Sequence, residues 1–132
     1  EYYRSFKKKE DYYYIYDYLL WDEDLIDKTL INEYNWELAS DTSTTWRIGD
    51  GTAGFYNYIY YTLAGFTEHD TFRSNQVREG VISRDKALEL VENENRPRYE
   101  NIAEYLEMLG LDFNSVIDRI NNAPKLWHQN PK

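Results

Sequence analysis

The sequence predicts a mainly helical fold, a small bundle of about five to six helices preceded by an extended aromatic arm. Three observations carry that expectation. Beyond residue 22, apolar residues recur at spacings of three and four along most of the chain. Side chains able to cap helix N-termini stand just ahead of several of these runs, and glycines stand just behind two of them. At 132 residues the chain is the size of one domain. We expect an arm over 1–21, a helical domain over 22–123 and a tail over 124–132.

In the arm, Lys7-Lys8-Lys9 and then Tyr12-Tyr13-Tyr14-Ile15-Tyr16 follow no clear period, which leaves a short strand and an extended segment both open. Asp22 is the expected cap of a first helix. Acidic Glu23 and Asp24 occupy its first turn, Leu25, Ile26, Leu30 and Tyr34 form its stripe, and it should stop near Asn35. Periodicity then disappears from Trp36 to Gly51, where Ser and Thr collect, so a long ordered loop is expected. Phe55, Tyr56, Ile59, Tyr60 and Leu63 restore a helical stripe that ends at Gly65.

Thr67 and Asp70 both qualify as caps for the next helix, expected over Thr71 to Glu79. Its two large apolar residues, Phe72 and Val77, fall on different faces, so core burial gains this helix little and polar partners should hold it. Ser83 heads a helix with Ala87, Leu88 and Val91 inside, ending near Asn95. Pro97 is expected in the first turn of another, carrying Tyr99, Ile102, Ala103, Leu106 and Leu109 up to Gly110. Asp112 caps a last helix with Phe113, Val116, Ile117 and Ile120, and Trp127 is the residue expected to pin the tail.

Composition removes several function classes. With 15 basic against 24 acidic residues the net charge is −9, which opposes generic binding to nucleic acid or an anionic membrane. No apolar run is long enough to span a bilayer, so neither nucleic acid nor membrane is an expected partner. The absence of cysteine excludes disulfides, thiolate metal sites and a cysteine nucleophile within the segment, and makes a cytoplasmic location the expected one. The chain opens on Glu1 without a signal-peptide pattern, so a piece of a longer protein is expected. Neither a Walker loop nor a Ser-Gly-Gly-x-Asp-Ser loop occurs, and Gly49-Asp50-Gly51 is too short to cradle a triphosphate. His69 lies between Glu68 and Asp70, neighbours that cannot all face one metal from a helix, so no metal site is expected. Acidic pairs such as Asp22 and Glu23, or Glu92 and Glu94, read as solvated helix faces or dipole-stabilising acids.

Polar residues concentrate between Trp46 and Gly80, where the core pattern is weakest. Arg47, Asp50, Arg73, Asn75, Gln76 and Arg78 are the candidate substrate-binding residues. Guanidinium groups bind phosphate or carboxylate bidentately, and amides read hydroxyls. The competing reading pairs Arg73 with Glu68 or Asp70 in simple ion pairs, and no catalytic residue can be selected.

The runs WRIGDG from Trp46, FYNYIYY from Phe55 and AGFTEHDTFRSNQVREG from Ala64 to Gly80 resemble the C-terminal region of the N-acetyl sugar amidotransferases, enzymes of the PP-loop ATPase group. The run ISRDKALELV from Ile82 is similar to the helix that follows there, and the likeness covers roughly residues 20–120. The resemblance implies that the chain is the C-terminal part of a larger α/β PP-loop enzyme of surface-polysaccharide assembly. It further implies that the parent uses ATP and Mg, that an N-terminal PP-loop domain and a separate glutaminase subunit supplying ammonia are partners, and that the chain alone is inactive. Replacing Arg73 with Ala in that parent should lower amidation without unfolding it. Two other readings stand beside this one: a stand-alone helical protein-interaction module without catalysis, and nucleic-acid binding through the turn from Gly80 to Ser83, which the acidic charge opposes.

Overall fold

Asp22 begins the first helix as its chemistry requires: its Oδ1 accepts the backbone N–H of Leu25 at 3.0 Å, satisfying one of the donors that a helix start leaves over. In the computed structural model, which describes residues 13–39, 42, 44, 45 and 51–128, all regular structure is helical. The chain divides into two compact units, 1–36 and 37–132.

Among its described residues the first unit holds a 3-10 turn over Ile15–Asp17 and helix α1, Glu23–Tyr34. Tyr16 and Trp21 meet edge to face, with ring centroids 5.2 Å apart. Asn35 ends α1 in the left-handed conformation (φ 49°), which Asn tolerates better than most residues. Of the arm expected over 1–21, residues 1–12 lie outside the described residues. No residue of α1 is buried, and Leu25, Ile31 and Tyr34 are exposed.

The second unit contains α2 (Thr52–Ala64), α3 (Glu68–Arg78), α4 (Arg84–Glu94), α5 (Tyr99–Met108) and α6 (Phe113–Asn122). With α1 this gives six described helices, within the five to six that the periodicity predicted. Helices α2, α5 and α6 share the apolar core. Ile102 and Leu106, four apart on α5 and 0% exposed, pack with Tyr58 of α2, and Phe55, Phe113, Val116, Ile117 and Ile120 close around them. Tyr58 keeps its hydroxyl satisfied by donating to Asn121 Oδ1 at 2.8 Å. A 3-10 turn over Leu126–His128 lies on α2, and the Trp127 ring is so close to Gly65 that an added Cβ would sit 3.3 Å from it. The expected pin is therefore present.

Two boundaries differ from expectation. Helix α3 starts at Glu68 rather than Thr71, because Thr67 and Asp70 act together: the Thr67 hydroxyl accepts the N–H of His69 at 3.1 Å, and Asp70 Oδ2 accepts the N–H of Thr67 at 2.8 Å. Helix α5 starts at Tyr99, so Pro97 stands before its cap, Arg98, rather than inside its first turn. Residues 40, 41, 43 and 46–50 of the expected loop before α2 lie outside the described residues, and Thr44 and Thr45 are buried.

Candidate functional site

Helices α3 and α4 pack together through polar groups. Arg73, 3% exposed, donates from Nε to Glu94 Oε2 at 3.0 Å and from Nη2 to Glu94 Oε1, a forked pair that holds one helix to the other. Its Nη1 donates to Gln76 Oε1 at 2.8 Å, one turn further along α3. His69 is also buried, with Nδ1 4.0 Å from Glu94 Oε2. At the start of α3, Asn95 donates from Nδ2 to Asp70 Oδ2 at 2.9 Å and accepts the Thr67 hydroxyl, joining the cap of α3 to the end of α4. Glu68 turns toward α2 instead, accepting from Asn57 Nδ2 at 2.6 Å and from the Tyr56 hydroxyl. These bonds answer how a helix without an apolar stripe is held: Arg73, Gln76, Asp70 and Glu68 each bond to a polar partner, as burial favours.

Behind this network is a recess of about 20 Å³, bordered by Asn57, Thr67, His69, Glu94 and Arg98 among others, with room for about one water molecule. The Arg98 Nε is buried and has no hydrogen-bond partner among the described residues. Beside it opens a groove of about 540 Å³, running between Tyr61 of α2, Asp70 of α3, the side of α4 carrying Leu88 and Asn95, and Pro97.

The sequence candidates separate into three groups. Arg47 and Asp50 lie outside the described residues. Arg73 and Gln76 are brought together and buried against Glu94. Asn75 and Arg78 are exposed, and Arg78 Nη2 donates to Asn75 Oδ1. The acid that pairs with Arg73 across the helices is Glu94, whose side chain is 14% exposed and which had read as part of a solvated face. Sequence reasoning also passed over Asn95, Arg96 and Tyr61. The available signal was the polarity of α3, which called for partners without indicating where they lay. Among the described residues no helix is long and apolar enough to cross a membrane.

A family model described as "LPS biosynthesis protein WbpG-like, C-terminal domain" matches residues 3–131. No curated protein and no solved structure matches the chain.

Proposed function

Because the chain belongs to the WbpG-like C-terminal domain family of lipopolysaccharide biosynthesis proteins, we propose that it is the C-terminal helical domain of an ATP-dependent PP-loop amidotransferase acting on an N-acetyl sugar. The observation that carries this reading is the family match along residues 3–131. The motif runs between Trp46 and Val91 support the finer assignment. In this reading the parent's N-terminal domain binds ATP and Mg, a glutaminase subunit supplies ammonia, and this domain contributes to the wall of the sugar site. The chemistry belongs to the parent, and the chain alone is inactive.

Arg47, Asp50, Asn75 and Arg78 are the residues proposed to reach substrate, Asn75 and Arg78 being exposed on α3. Arg73 and Gln76 are positioning residues, since their polar groups are engaged inside the protein. Residues 13–36, with their exposed aromatic side chains, supply a surface for docking against the N-terminal domain.

The test is amidation of an N-acetyl sugar by the intact parent with ATP, Mg and an ammonia source, measured together with ATP consumption. Sugar-dependent ATP consumption with nitrogen transfer is expected, and Arg78→Ala should lower the rate about tenfold or more at unchanged melting temperature. A parent that consumes no ATP would end the amidotransferase reading.

A further inference from the structure

The groove and the recess of the second unit share a wall, since both border Tyr61, Asn95, Arg96 and Pro97. At about 540 Å³ the groove is in the range of sites for small organic ligands, about 300–1,000 Å³. Its lining is of two kinds. Tyr61, Leu88 and Pro97 offer apolar surface, while Asp70, Glu92, Asn95 and Arg96 offer two carboxylates, an amide and a guanidinium.

That combination selects a ligand class. A hydrocarbon would strip water from four polar groups and pair none of them. An anion such as phosphate would meet two carboxylates against one guanidinium. A neutral ring with hydroxyls at its edge and C–H groups on its face suits both kinds of lining. Carboxylates accept from hydroxyls, the guanidinium donates to them, the amide does either, and the Tyr61 ring, 44% exposed, gives the C–H face a flat apolar surface.

We infer that this groove binds a neutral sugar ring, with Tyr61 beneath the ring and Asp70, Glu92, Asn95 and Arg96 around its hydroxyls. The wall is built in advance. Asn95 is bonded to both Asp70 and Thr67, and the Arg73–Glu94 fork fixes α3 against α4, so little has to be ordered when the ligand arrives. The inference deepens the proposed function and rests on it in taking a sugar as the substrate class.

The experiment is a titration of the isotopically labelled 132-residue chain with N-acetylglucosamine, followed by amide chemical shifts, with uridine diphosphate and inorganic phosphate as separate arms. Saturable shifts at Tyr61, Asn95 and Arg96 with the sugar, and none there with the two anions, are expected. Tyr61→Ala and Glu92→Gln should each weaken binding about fivefold or more, while Tyr60→Ala, whose side chain is exposed away from the groove lining, should leave it unchanged. Glu92 is exposed, so Glu92→Gln carries the comparison if Tyr61→Ala loses its fold. No saturable shift, shifts elsewhere, or equal shifts with phosphate would overturn the inference. If the parent amidates its sugar while the groove stays silent, the inference alone falls. If the groove binds sugar but the parent consumes no ATP, the amidotransferase reading alone falls.

Discussion

Arg73 shows how burial decides what a charged side chain does. Two of its nitrogens are committed to Glu94 and a third to Gln76, within a site 3% exposed, so no guanidinium edge used in those bonds is left for a ligand. Substitution therefore acts first on folding. Arg73→Ala leaves the largely enclosed Glu94 carboxylate, 14% exposed, without that partner, which is expected to cost about 3 kcal/mol, measured by urea denaturation. The double change Arg73→Met with Glu94→Leu removes both charges and should recover most of that loss. Lowered amidation in an Arg73→Ala parent would then report the position of α3 as much as any contact with substrate. A second residue-scale contrast lies in the glycines. Gly51 and Gly80 both have positive φ, 84° and 74°, a region that costs an L side chain about 1–2 kcal/mol. A Cβ on Gly80 meets nothing within 4 Å, whereas one on Gly51 would lie 2.7 Å from Tyr105 Cβ, an atom tied to the α5 backbone. Gly51→Ala is expected to destabilise clearly more than Gly80→Ala, by about 2–4 kcal/mol against about 1, in the same denaturation measurement.

At the scale of elements, what could be read in the sequence is what a few neighbouring residues decide. Asp22, Ser83 and Asp112 cap the helices they were expected to cap, and Gly65 and Gly110 take the left-handed conformations that end theirs. Thr67 and Asp70 were both legible as caps; that they act as one box, and so start α3 earlier, depends on geometry that spacing does not display. The partners of α3 were illegible for a different reason. Glu94 and Asn95 lie 21 and 25 residues from the groups they bind, and a hydrogen bond at that separation leaves no period in the sequence. Hence the polarity of α3 was visible while Glu94 passed for a surface acid, and a groove built from the ends of α2, α3 and α4 had no linear trace. The cap at α6 yields a pH prediction. The N–H of Ser115 donates to Asp112 Oδ1 at 2.8 Å, and this backbone hydrogen bond, followed by one with the Ser115 side chain, holds the carboxyl below its ordinary value. A carboxyl depressed in the folded state adds stability above its unfolded pKa of about 3.9, and that stability disappears as pH falls through the folded value. Asp112→Asn keeps a capping oxygen without the titration. Between about pH 4 and pH 2 its melting temperature should therefore fall less steeply than that of the parent sequence, with little difference at pH 7.

For the whole molecule the two units differ in what stabilises them. The second unit has a core around Tyr58, Ile102 and Leu106 together with the polar network between α3 and α4. In the first, α1 buries no residue, and Tyr13, Tyr14, Ile15, Tyr16, Tyr18, Leu19 and Leu20 are all exposed. Helices of this length gain most of their stability from packing an apolar face, so one whose apolar residues are at most half-buried opens easily. In the isolated chain, amide hydrogen exchange should therefore be fast along Glu23–Tyr34 and slow at Ile102 and Leu106, both 0% exposed. If residues 13–36 dock on the N-terminal domain of the parent, the same α1 amides should gain protection in the intact protein, by about a hundredfold or more in exchange rate, while those of α5 change little. Fast exchange of α1 in both forms would place the docking surface elsewhere and leave the exposed aromatic run of the first unit without that role.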